Sequence, residues 1–382
     1  MREARGEVSG DMPEELYPGD YLKAAGAALA ENPEADEAAA REVVLPMMME
    51  LIRDDLAALG VRHARFSSER ELHAAGAIEA SIDALAEKNL VYEGVLDAPK
   101  GKAPPPDWEA TPQLLFRATE FGDDSDRALR KSDGQPTYFA ADIAYHRDKY
   151  ERGFSHLINV WGADHIGYVP RLQAAVKAIT GGEADLEVKI CQLVKLSRGG
   201  KPVKMSKRAG DFITLREVVD EVGADAVRFM MLTRKSDAPL EFDFETVKEK
   251  SRDNPIFYVQ YAHARIRSVL RQAGDAPPDA GDLSGLDDPA ELAVLRTLGN
   301  YPRMLAAAAA AREPHRVAFY LQELAAQFHA LWTAGKERPE LRFIRDDAPE
   351  LTRARLAFIS AVAVVLANGL DIVGIAPEEE MR

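Results

Sequence analysis

The 382-residue sequence has a single cysteine, Cys191. One thiol cannot close a disulfide within the chain, nor can it build a multi-cysteine zinc site. A reducing compartment is expected, hence the cytoplasm. Basic residues are in deficit: 48 Lys and Arg stand against 63 Asp and Glu, a formal net charge of -15. Such a chain does not wrap nucleic acid with its whole surface, so any RNA contact has to use local basic faces. Long apolar runs are missing too. The longest, Leu356 to Ala367, is too short to span a bilayer and reads as a buried helix, so no membrane partner is expected. The N-terminus lacks the charged–apolar–small pattern of a signal peptide, and no internal repeat is found. Against these absences, 46% hydrophobic and 29% charged residues are ordinary for a globular protein. The length suffices for two or three domains, each with its own core.

One stretch lacks acids altogether. Between Val188 and Gly210 there is no Asp or Glu, while Lys195, Arg198, Lys201, Lys204, Lys207 and Arg208 crowd together. Gly199, Gly200 and Pro202 make its middle a loop. A flexible loop carrying Lys204 and Lys207 suits an anion whose charge grows during reaction, such as a polyphosphate. A solvated basic turn is the plain alternative.

The rest of the chain divides by texture. Residues 1–112 read as mostly helical. A turn at Tyr17 to Leu22 feeds a helix to about Glu31, and a second helix runs from Ala35 to Leu59. Val61 to Phe66 alternates like a strand, Ser67-Ser68 caps a further helix, another spans Ile78 to Lys88, and Asp97 to Pro112 is an exposed Pro-rich loop. From Leu114 strands and helices alternate. Strands are expected at Leu114 to Arg117, Ala128-Leu129, Thr137 to Phe139, His156 to Trp161 (short and buried) and Glu187 to Leu196, with helices at Ala141 to Tyr150 and Val169 to Ile179. The alternation predicts an α/β fold with an open parallel sheet of the nucleotide-binding kind, with ligands at the carboxyl ends of its strands, where Tyr138 and Gly162 to His165 fall. After Asp211 helices take over, with Glu241 to Phe244 as an extended link. Residues 251–382 read as an all-α bundle with helices near 255–272, 289–311, 315–334 and 349–367. The domains expected are therefore 1–112, 113–250 and 251–382.

Three clusters could carry chemistry. Gly162-Ala163-Asp164-His165 follows a strand and precedes a helix, where glycine lets backbone approach a ligand and Asp can accept from ribose hydroxyls. A plain turn with Asp164 as a cap is the alternative. Tyr138 and Asp142 are four apart and share a face if a helix begins there. A carboxylate beside a phenol suits a planar cation such as guanidinium, whereas a core tyrosine and a helix-start acid would look the same. On the 255–272 helix, Tyr258, Tyr261 and Arg265 share a face, with His263 nearby. Aromatic rings with Arg and His suit stacking on splayed RNA bases; an aromatic stripe packed in the bundle is the alternative.

The order Lys204-Met205-Ser206-Lys207 resembles the second signature of class I aminoacyl-tRNA synthetases. With Phe121-Gly122-Asp123-Asp124, Lys131-Ser132-Asp133-Gly134, Asp142-Ile143-Ala144-Tyr145, Gly162-Ala163-Asp164-His165, Asp225-Ala226-Val227-Arg228 and Tyr261-Ala262-His263-Ala264-Arg265, the chain is similar to arginyl-tRNA synthetase over most of residues 121–265. The resemblance implies activation of arginine by ATP, with Mg2+, to arginyl-adenylate and pyrophosphate, then transfer to tRNA(Arg). It implies that Lys204 and Lys207 stabilise the leaving pyrophosphate, with Met205 and Ser206 shaping the loop, and that Gly162, Asp164 and His165 lie against the adenosine. Glu69, Tyr138 and Asp142 would meet arginine, while Tyr258, Tyr261, His263 and Arg265 would touch tRNA. The helical end resembles the anticodon-binding domain named for its Asp-Ala-Leu-Arg consensus.

One departure stands out. That family carries a strand and a His-Ile-Gly-His signature upstream of the segment where Met1 stands. His165-Ile166-Gly167-Tyr168 looks like the signature but belongs to the later, ribose-side segment. The expectation is an N-terminally truncated ligase that does not aminoacylate alone, its missing half lost or supplied by a separate polypeptide. A non-catalytic tRNA-binding or regulatory derivative is the competing reading. A cysteinyl-tRNA synthetase relative would need a zinc site that one cysteine cannot build.

Overall fold

A computed structural model describes residues 19–31, 36–96, 111–205, 212–251, 254–274 and 282–381. Its contacts form two compact units, one of residues 1–62, 194–235 and 240–382, the other of 63–193 with 236–239. The cuts at 62 and 193 differ from the composition changes near 112 and 250.

The first unit opens with helices α1 (Lys23–Ala30) and α2 (Glu37–Ala58). Asp36 starts α2 by accepting the amide of Ala39 at 2.8 Å. Val61 to Phe66, expected as a strand, forms none. Most of it is exposed, and an alternating run without a neighbouring strand has no ladder to join.

The second unit follows. Ser68 caps α3 (Glu69–Ala74), and α4 (Ala77–Glu87) buries Ile78, Ile82 and Leu85. Strands β1 (Val91–Gly94), β2 (Gln113–Phe116) and β3 (Arg127–Ala128) form an antiparallel sheet in register Val91↔Phe116 and Leu115↔Ala128. Thr137 to Phe139 is not a strand. Thr137 caps helix α5 (Tyr138–Glu151), its hydroxyl accepting from Ala140, and Phe139, Ala140, Ile143 and Ala144 bury one helical face. Then β4 (His156–Gly162), α6 (Val169–Ile179) and β5 (Asp185–Cys191) make a βαβ unit whose strands pair in parallel, His156↔Asp185 through Gly162↔Cys191. β4 is half-buried rather than buried: Leu157 and Asn159 face the core, while Ile158 and Val160 alternate onto the other face of the strand, which is exposed. The core gathers Phe116, Leu129, Phe139, Ile143, Leu157 and Leu172, and burial of each such side chain is worth about 1.5–3 kcal/mol. Lys88 closes the end of α6 by donating to the carbonyls of Ala178 and Ile179 at 3.1 and 2.8 Å.

The strand expected over Glu187 to Leu196 is two strands. β5 stops at Cys191, the amide of Gln192 turns to the carbonyl of Ser236 at 2.7 Å, and β6 (Val194–Arg198) begins in the first unit. β6 pairs with β7 (Lys201–Pro202) in a hairpin. Helices α7 (Leu215–Val222), held by a Thr214–Glu217 capping box, and α8 (Ala224–Met231) follow. The expected extended link is strand β8 (Leu240–Asp243), parallel to β6 from Val194↔Leu240 to Ser197↔Asp243, and helix α9 (Phe244–Lys248). Parallel pairing therefore occurs twice among the described residues, two strands wide each time, instead of in one broad sheet.

The unit ends in the bundle of α10 (Pro255–Gln272), α11 (Pro289–Ala311), α12 (His315–Glu337) and α13 (Pro349–Ile372). Proline sits in the first turn of α10, α11 and α13, where its missing amide costs no bond. Val259, Ile266, Leu321, Phe328, Ile359 and Leu366 pack at its centre. α13 is long and apolar enough to cross a membrane by length and composition, yet Phe358, Val362, Leu366 and Leu370 pack in that core. Arg228 ties α2 and α13 together, donating to the carbonyls of Leu59 (2.7 Å) and Val373 (2.9 Å). Gly374 sits at φ +74°, and a Cβ there would lie 2.3 Å from the guanidinium.

Candidate functional site

Tyr138 and Asp142 lie one turn apart at the start of α5. Tyr138 is 80% exposed and so is not a core residue. Asp142 is partly buried and accepts the hydroxyl of Tyr168 at 2.7 Å. Burial pushes its carboxyl upward, while the Tyr168 bond and the Lys149 ammonium pull the other way. Behind it, His146 donates from Nδ1 to the Asp142 carbonyl (2.7 Å), Asn159 donates to His146 Nε2 (3.0 Å), and Lys149 donates to the Asn159 side-chain oxygen (3.3 Å). This relay joins α5 to β4 and sets the imidazole tautomer.

Burial, with Lys149 nearby, pushes His146 down to about 4, so it is neutral at pH 7. The unfolded chain binds a proton near the ordinary histidine value of about 6.5 that the fold refuses until about 4. The contribution of His146 is therefore complete above the unfolded value and falls by roughly 3 kcal/mol as pH drops through that window. Urea unfolding at pH 7 and pH 4.5 should show a smaller loss in His146→Gln than in the parent. Equal losses would remove His146 as the source.

Gly162 ends β4, and a 3-10 helix, Ala163–Tyr168, leads into α6. Asp164 caps neither helix and is exposed, 3.5 Å from His165. The Gly162 backbone is ordinary, but a Cβ there would lie 2.5 Å from the Asp164 carboxylate, so glycine leaves that side chain its room. Tyr168 connects the two clusters. Its hydroxyl reaches Asp142, its ring meets Phe139 edge-on at 6.1 Å, and Trp161 lies 5.9 Å away. The Arg171 guanidinium sits 5.0 Å over the same ring. Sequence reasoning missed Tyr168, which lay inside the false signature, and missed Asn159, though a lone polar residue in an apolar strand was a visible signal.

Glu69 is placed elsewhere. It stands at the start of α3 beside His73 (3.8 Å). α3 packs on α5, and the pocket they share is lined by Ser68, Leu72, Ala144, Arg147, Asp148 and Glu151. At 3.6 residues per turn, Tyr138 and Asp142 lie on a different face of α5. The structure does not bring Glu69 to them.

The basic loop starts as a hairpin. Gly199 (φ +58°) and Gly200 (φ +76°) form a two-residue turn of the type that glycine pairs favour, and the Val203 amide closes the ladder on the Leu196 carbonyl at 2.9 Å. Lys204 comes next, and both it and Met205 are exposed. Ser206 and Lys207 lie outside the described residues.

On α10, Tyr258, Tyr261 and Arg265 share a partly buried face. The Arg265 guanidinium lies 4.1 Å over the Tyr261 ring and 4.7 Å over that of Trp332, and it donates to His329 Nδ1 at 3.1 Å. Nε2 of His329 donates to the Tyr258 carbonyl at 3.1 Å. Burial and Arg265 hold this imidazole below its usual value, in keeping with the acceptor role of Nδ1. Beside Trp332 opens a cavity of about 550 Å³, also lined by Leu341, Phe343, Lys336 and Arg342. His263 does not join this face. It is 3% exposed and donates to the carbonyl of Glu378 at 2.8 Å, because its position on the helix points to the other side. Sequence reasoning missed His329 and Trp332, which stand on α12.

Residues 259–381 match the DALR anticodon binding domain. The whole chain aligns at 56% identity over 399 residues with the arginine–tRNA ligase of Parvibaculum lavamentivorans, and at 56% over 405 residues with that of Nitrobacter winogradskyi. It spans 68% of the length of each. Among solved structures, the arginyl-tRNA synthetase of Campylobacter jejuni superposes with a TM-score of 0.83 at 31% identity, covering 100% of this chain and 80% of that one. That of Thermus thermophilus, at 21% identity and a TM-score of 0.67, covers 100% of this chain and 72% of that one and shares the fold. An identity of this level along the full chain, with an anticodon-binding bundle at its end, makes the protein a member of the arginine–tRNA ligase family.

Proposed function

We propose that the chain acts in the arginine–tRNA ligase reaction: arginine attacks ATP to give arginyl-adenylate and pyrophosphate, and the arginyl group then passes to tRNA(Arg). The carrying observation is the partly buried Asp142 carboxylate, fixed by Tyr168 and one turn from exposed Tyr138, a receptor of the right charge and shape for guanidinium. Gly162, Asp164 and His165 serve the adenosine. Lys204 and Lys207, in the loop shaped by Met205 and Ser206, neutralise the charge that builds on the departing pyrophosphate. No nucleophilic side chain is needed, since positioning and charge stabilisation supply the rate. Mg2+, arriving with the ATP, would supply further charge neutralisation at the phosphates. Among the described residues no group of three or more His, Cys, Asp or Glu could hold a metal ion. Tyr258, Tyr261 and Arg265, with Trp332 and its cavity, form the tRNA-facing surface, where base stacking contributes about 1–3 kcal/mol per base. The cytoplasm is the compartment this reading implies.

The test is arginine-dependent ATP–pyrophosphate exchange together with tRNA arginylation. Because the 382 residues contain no His-X-Gly-His, both are measured with the chain alone and with an added polypeptide bearing that signature. Arginine-dependent exchange in either arm supports the reading. Its absence from both overturns it, and tRNA binding without exchange would leave the tRNA-binding derivative.

A further inference from the structure

The loop that presents Lys204 is held from behind by a residue to which neither its motif nor the family match assigns a role. Asp243 ends β8, opposite Ser197 in the parallel pairing with β6. Its two carboxylate oxygens accept five hydrogen bonds. One oxygen takes the Gly200 amide (2.7 Å) and the Ser197 hydroxyl (3.0 Å); the other takes the amides of Gly199 (3.2 Å), Glu245 (2.9 Å) and Thr246 (3.3 Å). An ionised carboxylate offers about four acceptor sites, so this one is saturated. Three of the bonds hold the hairpin turn and two cap α9. The Gly200 amide and the other donors keep the carboxyl well below the usual carboxylate range, so it is charged at neutral pH.

The surroundings brace the same turn. Arg198 pairs with Glu221 at 2.5 Å and lies 4.6 Å over the Phe244 ring, while Lys248 bridges Glu221 and Glu245 at 3.1 Å each. A two-glycine turn has the largest backbone freedom to lose on ordering. With its tip bonded to Asp243 and its base closed at Leu196–Val203, the path of the chain into Lys204 is set.

We propose that Asp243 is a positioning residue for the lysine loop, clamping the Gly199-Gly200 turn so that Lys204 is delivered in one place to a polyphosphate. This rests on the reading of the loop as the ATP-phosphate site. Asp243 touches no substrate and acts through the hairpin.

The test is Asp243→Asn, which keeps the size of the side chain but exchanges one acceptor oxygen for an amino group that cannot accept. In whichever arm the parent shows exchange, kcat for arginine-dependent pyrophosphate exchange should fall about tenfold with the KM for arginine unchanged. Hydrogen exchange of the Gly199 and Gly200 amides should quicken. Ser197→Ala, which removes one bond of five, should shift both readouts in the same direction by less, and covers the case in which Asp243→Asn does not fold. An unchanged kcat in a folded Asp243→Asn, or a loss confined to the arginine KM, overturns the proposal. Should the parent exchange in neither arm, the activity reading fails on its own. The clamp is then decided by acylation of Lys204 followed by mass spectrometry: protection by Mg–ATP in the parent and its loss in Asp243→Asn supports it. Equal protection in both, or none in the parent, overturns it.

Discussion

Glu291→Ala should cost the C-terminal bundle about 3–5 kcal/mol, the range for stripping one partner from a buried ion pair. Glu291 and Arg355 are 1% and 3% exposed, with Nε and Oε1 at 2.7 Å. Arg355 also donates to the carbonyls of Glu340 (2.5 Å) and Arg342 (3.0 Å). Removing the carboxylate strands a guanidinium where water cannot solvate it. The second carboxylate oxygen has no partner among the described residues, so the pair is itself imperfectly satisfied. A double replacement, Glu291→Leu with Arg355→Met, should therefore recover most of the loss. Urea unfolding of the parent, the single and the double variant checks this. A cost below about 1 kcal/mol for Glu291→Ala, the value typical of exposed pairs, would mean that the pair is solvated. The pair also tethers the segment after α12 that lines the cavity beside Trp332, including Phe343 stacked on Phe328 at 5.9 Å. Weaker tRNA binding should accompany the lost stability.

Asp142→Asn should raise the arginine KM by about thirtyfold or more, since truncating one side of a partly buried charged hydrogen bond costs about 2–5 kcal/mol. Asparagine keeps the shape and can still accept from Tyr168, so the loss isolates the charge. The pH dependence follows from the same carboxyl. Burial raises its pKa, so the ionised form that binds guanidinium disappears on acidification at a higher pH than for an ordinary aspartate near 3.9. Arginine affinity, measured by calorimetric titration, should fall through that range in the parent and stay flat in Asp142→Asn. The stability linkage has the opposite sense. A folded-state pKa above the unfolded one means that the fold holds the proton more tightly, so this group favours folding at low pH and loses that contribution as pH rises. Tyr168→Phe removes a donor that favours the ionised form and should move the affinity limb to higher pH. An Asp142→Asn variant with unchanged arginine affinity would exclude the carboxylate as the guanidinium partner.

Much of the architecture was legible residue by residue. Ser68 announced a helix start that the backbone adopts, because a capping side chain bonds amides two or three residues on. The four bundle helices followed from their apolar period. Errors came where one local pattern fits two structures. Thr137 to Phe139 has strand composition, but the Thr137 hydroxyl serves as a cap. The strand-like stretch from Glu187 to Leu196 hides a break that depends on Ser236, far along the chain.

By itself, then, the sequence determined most of the helices, the acid-free lysine loop and its glycine turn, since these depend on propensity, capping and charge among near neighbours. Tertiary structure decided which polar groups meet. It joined Tyr168 to Asp142, linked Asn159 through His146 to α5, put Asp243 behind the hairpin, and turned His263 and Glu69 away from their expected companions. The physical reason is that a helix or strand fixes the face a side chain occupies, while its partner is set by packing between segments tens of residues apart.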